Sequence, residues 1–116
     1  MLVSFGQAER PANYGVLLLD PAAVVVHSGQ SVRITARIVG PSQEVIFGSA
    51  GTCRSLGVTL GSPAFVMPGG RAVSEGPVET VEVFTARSAG RASPGSCELE
   101  FRTMQTRKLV PATVRP

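Results

Sequence analysis

The sequence predicts an all-β sandwich, and three observations carry that prediction. Residues 31–39 alternate without interruption, with Val32, Ile34, Ala36 and Ile38 on one side and Ser31, Arg33, Thr35 and Arg37 on the other. Residues 97–103 repeat the pattern, setting Cys97, Leu99, Phe101 and Thr103 against Glu98, Glu100 and Arg102. Such period-two alternation puts one face in a core and the other in water. Third, 13 Gly and 9 Pro punctuate short apolar runs, as in chains of many short strands joined by turns. No segment carries apolar residues at helical spacing over several turns.

At 116 residues the chain fits one domain. A domain of this size buries roughly two thirds of the surface its unfolded form exposes, enough to fold without a metal. Residues 1–13 are mixed and turn-rich and are expected to be a loosely held, flexible N-terminal segment. Residues 14–116 form the sandwich.

Taken in order, residues 14–19 predict a first strand. Pro21 interrupts it, because proline removes a ladder donor. Val24, Val25 and Val26 resume the β run, Ser28-Gly29-Gln30 turns the chain, and residues 31–39 follow. Gly40-Pro41-Ser42 ends that strand. Residues 44–47 make a short strand and residues 48–51 a flexible turn before Cys53. Residues 58–60 and 64–67 are short strands separated by Gly61-Ser62-Pro63, and Pro68-Gly69-Gly70-Arg71 is a turn signal.

Residues 78–86 form the next long strand. There Glu79, Val81 and Val83 are assigned to the core, and Thr80, Glu82 and Phe84 to solvent. Phe84 fits poorly outside, and a β-bulge or a covered outer face would accommodate it. A loop over 88–95 leads into the strand at 97–103. In residues 109–115, Val110, Ala112 and Val114 face inward, and Pro111 marks an edge strand. The total is about seven to nine short strands at the spacing of a sandwich.

Composition excludes more than it identifies. The formal net charge is +3, and the cations are ten Arg and the single Lys108. Nucleic-acid binders gather basic residues with aromatic platforms. Here Arg10, Arg33, Arg37, Arg54, Arg71, Arg87, Arg91 and Arg102 are scattered along the chain, Trp is absent and Tyr14 is the only Tyr. Arg107-Lys108 with Arg115 is the nearest approach to a cluster. A nucleic-acid partner is therefore not expected. The apolar runs near Leu17 and Val24 are far shorter than a membrane span and are split by Asp20-Pro21, so no membrane insertion is expected. The N-terminus lacks the basic and apolar regions of a complete signal peptide.

Residues with catalytic potential are few. His27 is the only histidine and Asp20 the only aspartate. Seven residues of strand separate them by about 23 Å and leave them on opposite faces, unlike a hydrolytic triad. Glu79, Glu82, Glu98 and Glu100 sit within strands, where Glu82 could face Arg33 or Arg37 as a solvated cross-strand pair. The loops are nearly free of the Asp and Asn ligands that calcium modules use. The glycines lack phosphate-loop spacing. No catalytic, cofactor-binding or metal-ligating residue is assigned, and the chain is not expected to be an enzyme.

The segment Leu19-Asp20-Pro21-Ala22-Ala23-Val24-Val25-Val26-His27-Ser28-Gly29-Gln30-Ser31-Val32-Arg33-Ile34-Thr35-Ala36 resembles the first two strands of bacterial immunoglobulin-like domains. The features are a proline-broken opening strand, a Gly-Gln turn and an alternating second strand. Ala92-Ser93-Pro94-Gly95-Ser96-Cys97-Glu98-Leu99-Glu100-Phe101 resembles their penultimate strand, entered through a small-residue turn. The likeness covers about half the chain. It departs from antibody domains in having no Trp, and in placing Cys53 after the third strand rather than in the second.

The resemblance implies an immunoglobulin-like sandwich of two antiparallel sheets in a secreted, periplasmic or cell-surface protein. Cys53 and Cys97, with no CxxC spacing, are either two buried thiols of a reducing compartment or a disulfide of an oxidising one. The exported setting implied by the resemblance favours the disulfide. The function expected is a non-catalytic structural or adhesive module that engages protein or glycan through loops or an edge strand, with oligomerisation possible. The alternatives are a virion decoration or tail-associated protein, and a periplasmic ligand-binding accessory domain.

Overall fold

The break at Asp20–Pro21, a cis peptide bond, is where the chain changes sheets. Before it, β1 (Leu18–Asp20) pairs antiparallel with β3 (Ser31–Gly40). After it, β2 (Val24–His27) lies in the opposite sheet, parallel to β8 (Arg107–Arg115). Proline cannot extend the ladder that β1 begins, so the chain leaves one layer there and joins the other. The structure is a computed structural model that describes residues 13–40, 45–61 and 78–116. The expected loose segment at 1–13 falls almost entirely outside the described residues, as do the strand at 64–67 and the turn at 68–71.

The remaining elements are β4 (Phe47–Ser49), a 3-10 helix (Gly51–Leu56), β5 (Val58–Gly61), β6 (Val78–Ser88) and β7 (Gly95–Arg102). They complete a two-layer sandwich. One sheet has the order β1-β3-β6-β5 and the other β2-β8-β7-β4. All pairings are antiparallel except β2 with β8, a departure from the purely antiparallel sheets expected. Residues 14–19, read as one strand, contribute an isolated bridge from Tyr14 to Val39 and then β1.

The core lies between the layers. From β3 come Ile34, Ala36 and Ile38, and from β7 Leu99 and Phe101, all fully buried, with Val32 partly buried against them. Beside β7 in the same sheet, β8 adds Val110, Ala112 and Val114. Each large aliphatic side chain buried this way contributes about 1.5–3 kcal/mol. Phe84 and Phe101 meet across the layers edge to face, with ring centroids 5.2 Å apart and planes at 72°.

That contact overturns the expected faces of β6. Phe84, Ala86 and Ser88 are the buried set, while Val81 and Val83 are exposed. No bulge intervenes, because β6 pairs with β3 residue by residue from Ser31↔Arg87 to Gly40↔Val78. The strand also runs two residues further than expected, which adds Ser88 to the phase of Phe84 and Ala86. Burying one Phe and Ala86 in phase outweighs exposing two valines, since an aromatic ring removes far more apolar area from water. Val83→Thr should therefore shift stability by no more than about 0.5 kcal/mol in urea denaturation. A loss several times larger would restore the face first expected.

Pro111 is likewise not on an edge. β8 lies between β2 and β7. The proline is accommodated because the β2 ladder begins at Ala112, one position later, and on that side there is no strand at Pro111 to pair with.

Residues 48–51 are not a flexible turn. Gly48 and Ser49 complete β4, and the chain then folds into the 3-10 helix instead of continuing along β7. Thr52 takes up the next contact, its Oγ1 accepting from the Glu98 amide at 2.8 Å. Gly51 has φ +56°, and a Cβ there would overlap the Glu98 carbonyl. Gly57 closes the helix in the left-handed region, φ 88°. Gly51→Ala combines an unfavourable backbone region with a backbone clash and should cost about 1–3 kcal/mol, read from the denaturation midpoint. An unchanged midpoint would mean that the helix does not sit against β7 as described.

Candidate interaction surface

His27 and Asp20, the residues weighed for catalysis, do not come together. His27 and Asp20 are both exposed and belong to different sheets, His27 opposite Arg115 on β8 and Asp20 opposite Thr35 on β3. Among the described residues no group of three or more His, Cys, Asp or Glu side chains could hold a metal ion. No helix among them is long and apolar enough to cross a membrane, a statement that does not bear on β-barrels.

The glutamates are distributed differently from the expectation. Glu82 does not face Arg33 or Arg37. It lies opposite Ala36, on the inward side of β6 and half buried, because the phase of the strand is the reverse of that expected. The cross-strand pair on the outer face is Arg37 with Glu79 at 3.7 Å, with both side chains about half exposed, at 51% and 53%. Such a solvated pair contributes at most a few tenths of a kcal/mol. Glu100 pairs with Arg107 across the β7–β8 ladder, and Glu98 is exposed.

Cys53 and Cys97 are joined in a disulfide, 44 residues apart in sequence. Cys53 is fully buried in the 3-10 helix and Cys97 opens the inward face of β7. The bond and the Thr52–Glu98 contact hold the helix onto β7 at adjacent residues.

Among the described residues, β4 and β5 are the last strands of their respective sheets on the same side of the sandwich. β5 pairs with β6 only from Ser88 to Thr85. Among the described residues, β6 from Val78 to Phe84 therefore has no ladder partner on that side. Beside this edge is a groove of about 310 Å³ lined by Val45, Ile46, Phe47, Gly48, Leu60, Glu82 and Phe84. Phe47 is 52% exposed at its rim, while Gly48 leaves room for the ring of Phe84 and for Leu60: a Cβ at Gly48 would come within 2.8 Å of the one and 2.7 Å of the other. A ladder edge without a partner among the described residues, beside an apolar groove, is the kind of arrangement by which a sheet accepts an added strand. The sequence reading missed the groove because it turned Phe84 outward. The signal was present in the misfit of Phe84 itself.

Elsewhere the outer faces carry scattered apolar residues, Leu18, Val81 and Val83 on one sheet and Val25 and Leu109 on the other. In the β7–β8 turn, Thr103 Oγ1 accepts from the amides of Gln105 and Thr106, at 3.1 and 3.2 Å. That turn leaves Met104 89% exposed.

No family model matches the chain, and no curated protein matches it in sequence. Among solved structures, the chain is similar in fold to the crystal structure of domains 4 and 5 of the S-layer protein SbsC, with a TM-score of 0.60 and 13% sequence identity. The likeness covers 87% of this chain and 45% of that one, so this chain spans less than half of the two-domain structure it resembles.

Proposed function

We propose that the chain is a non-catalytic structural module of an exported or cell-surface assembly, with an immunoglobulin-like arrangement of its strands. The observation that carries this reading is the fold likeness to part of a two-domain S-layer structure, over 87% of the chain. The strand order supports the finer assignment. Constant-type immunoglobulin domains place strands A, B, E and D in one sheet and C, F and G in the other. The sheets β1-β3-β6-β5 and β2-β8-β7-β4 follow that order, with the opening strand divided between them at Pro21.

One further feature suits a module in an external assembly. A disulfide between Cys53 and Cys97 belongs in an oxidising compartment. The open edge and groove between β4 and β5 are the surface proposed for a protein or glycan partner.

Fractionation of source cells, combined with mass measurement after thiol alkylation, tests this reading. The expected result is recovery in the envelope or medium, with Cys53 and Cys97 resistant to alkylation until reduced. Recovery in the cytoplasm with both thiols free would overturn it.

A further inference from the structure

Arginines far apart in sequence are carried toward one end of the sandwich. β2 ends there at His27, β3 begins at Ser31, β6 ends at Ser88 and β8 ends at Arg115. The turn and the β6–β7 loop are tied together there, the Gly29 amide donating to the Ala89 carbonyl at 3.0 Å. The loop is also tied to the end of the 3-10 helix, the Ser93 amide donating to the Leu56 carbonyl at 3.2 Å. These elements carry Arg33, Arg87, Arg91, Arg115 and Arg54, all exposed.

Arg33 and Arg87 are diagonal neighbours on one outer face, since Arg33 lies opposite Thr85 and Arg87 opposite Ser31. Among the described residues none of the five has an ion-pair partner; the pairs there are Arg37–Glu79 and Arg107–Glu100. Of the described side-chain carboxylates, Asp20, Glu79, Glu82 and Glu100 lie in the middle of the sandwich or toward its other end, while Glu98 lies on β7 beside the 3-10 helix that carries Arg54. Like charges that outnumber the carboxylates described around them raise the local potential and draw anions.

We propose that this arginine-bearing end binds an anionic polysaccharide, one with carboxylate or phosphate groups spaced along its chain. Guanidinium groups match both anions in forked geometry. A polymer, rather than a single small anion, fits because the arginines surround the end instead of converging on one point. Nucleic acid fits less well, since among the described residues no aromatic side chain lies at this end to stack a base: Tyr14, Phe47, Phe84 and Phe101 are all elsewhere. The polysaccharide deepens the proposed surface role and rests on it for biological setting, but binding by the purified protein is testable apart from localisation.

The experiment titrates the purified, oxidised protein with a polyuronate oligosaccharide, using neutral dextran and a DNA duplex of equal charge as comparators. Three proteins are compared: the wild type, the triple variant Arg33→Ala/Arg87→Ala/Arg115→Ala, and a control, Arg102→Ala/Lys108→Ala, altered at the opposite end. The wild type should bind polyuronate and not dextran, with affinity falling as salt rises. The triple variant should lose roughly tenfold or more in affinity and show a shallower salt slope, while the control stays near wild type. Thermal unfolding checks that every variant is folded. No polyuronate binding at low salt, an equal loss in the control, or tighter binding to the duplex would overturn the proposal. Cytoplasmic recovery of the native protein would instead count against the surface role and leave the binding result standing.

Discussion

Ile34→Asp or Leu99→Asp is expected to abolish soluble folding. Both side chains are fully buried between the layers, one on β3 and one on β7. Either substitution forfeits about 1.5–3 kcal/mol of apolar burial. It also places a carboxylate where the surrounding residues are aliphatic or aromatic, at a cost of several kcal/mol even after relaxation. Small domains have only about 5–15 kcal/mol to lose. Expression followed by circular dichroism should show aggregate or unfolded chain for either variant. Glu98→Ala, one residue from Leu99 on the exposed face, is the control and should stay within about 0.5 kcal/mol of wild type. A soluble, cooperatively unfolding Leu99→Asp protein would mean that β7 does not face inward as described.

Removing the disulfide should produce the second largest effect. The bond closes a loop between residues 44 apart. By the chain-entropy relation, that constraint destabilises the unfolded ensemble by about 4 kcal/mol. The loop encloses β5 and β6, so its loss frees in the unfolded chain the segment that joins the two sheets on the β4–β5 side. Cys53→Ala/Cys97→Ala, compared with wild type by urea denaturation, should show a clearly lower midpoint, and so should wild type unfolded in reductant. A midpoint unchanged in both comparisons would remove the bond from the account of stability.

How much of this was legible in the sequence depends on how one-sided each strand is. β3 and β7 were legible because every inward residue is apolar or small and the outward faces carry charge, leaving one register. β6 was not, because Val81 and Val83 sit on one face and Phe84 and Ala86 on the other, and both phases bury something. The phase was settled by Phe101 on the facing sheet, a partner that no local pattern contains. Pro111 misled for a related reason. Proline excludes a ladder bond only where a neighbouring strand extends alongside it, and β2 begins one position too late to matter. The 3-10 helix left little trace, since its residues are held by Thr52 against Glu98 and by the Cys53–Cys97 bond rather than by helical periodicity.

The candidate surfaces were less legible still. The groove between β4 and β5 depends on the phase of β6, and the arginine-bearing end depends on topology. Arg33 and Arg87 are 54 positions apart in the chain yet diagonal neighbours in the sheet. Their scatter along the chain argued against a cluster, and only the pairing of β3 with β6 brings them together.

The central claim is a two-layer body in which β6 and β7 press their aromatic side chains against each other across the interior. Proton–proton Overhauser contacts in the native, oxidised protein test it most directly. Strong cross-peaks between the rings of Phe84 and Phe101 are predicted, together with weak or absent contacts from the Val81 and Val83 methyls to Phe101. Cross-peaks from those valines to Phe101, with the Phe84 ring seen only against solvent-facing neighbours, would contradict it.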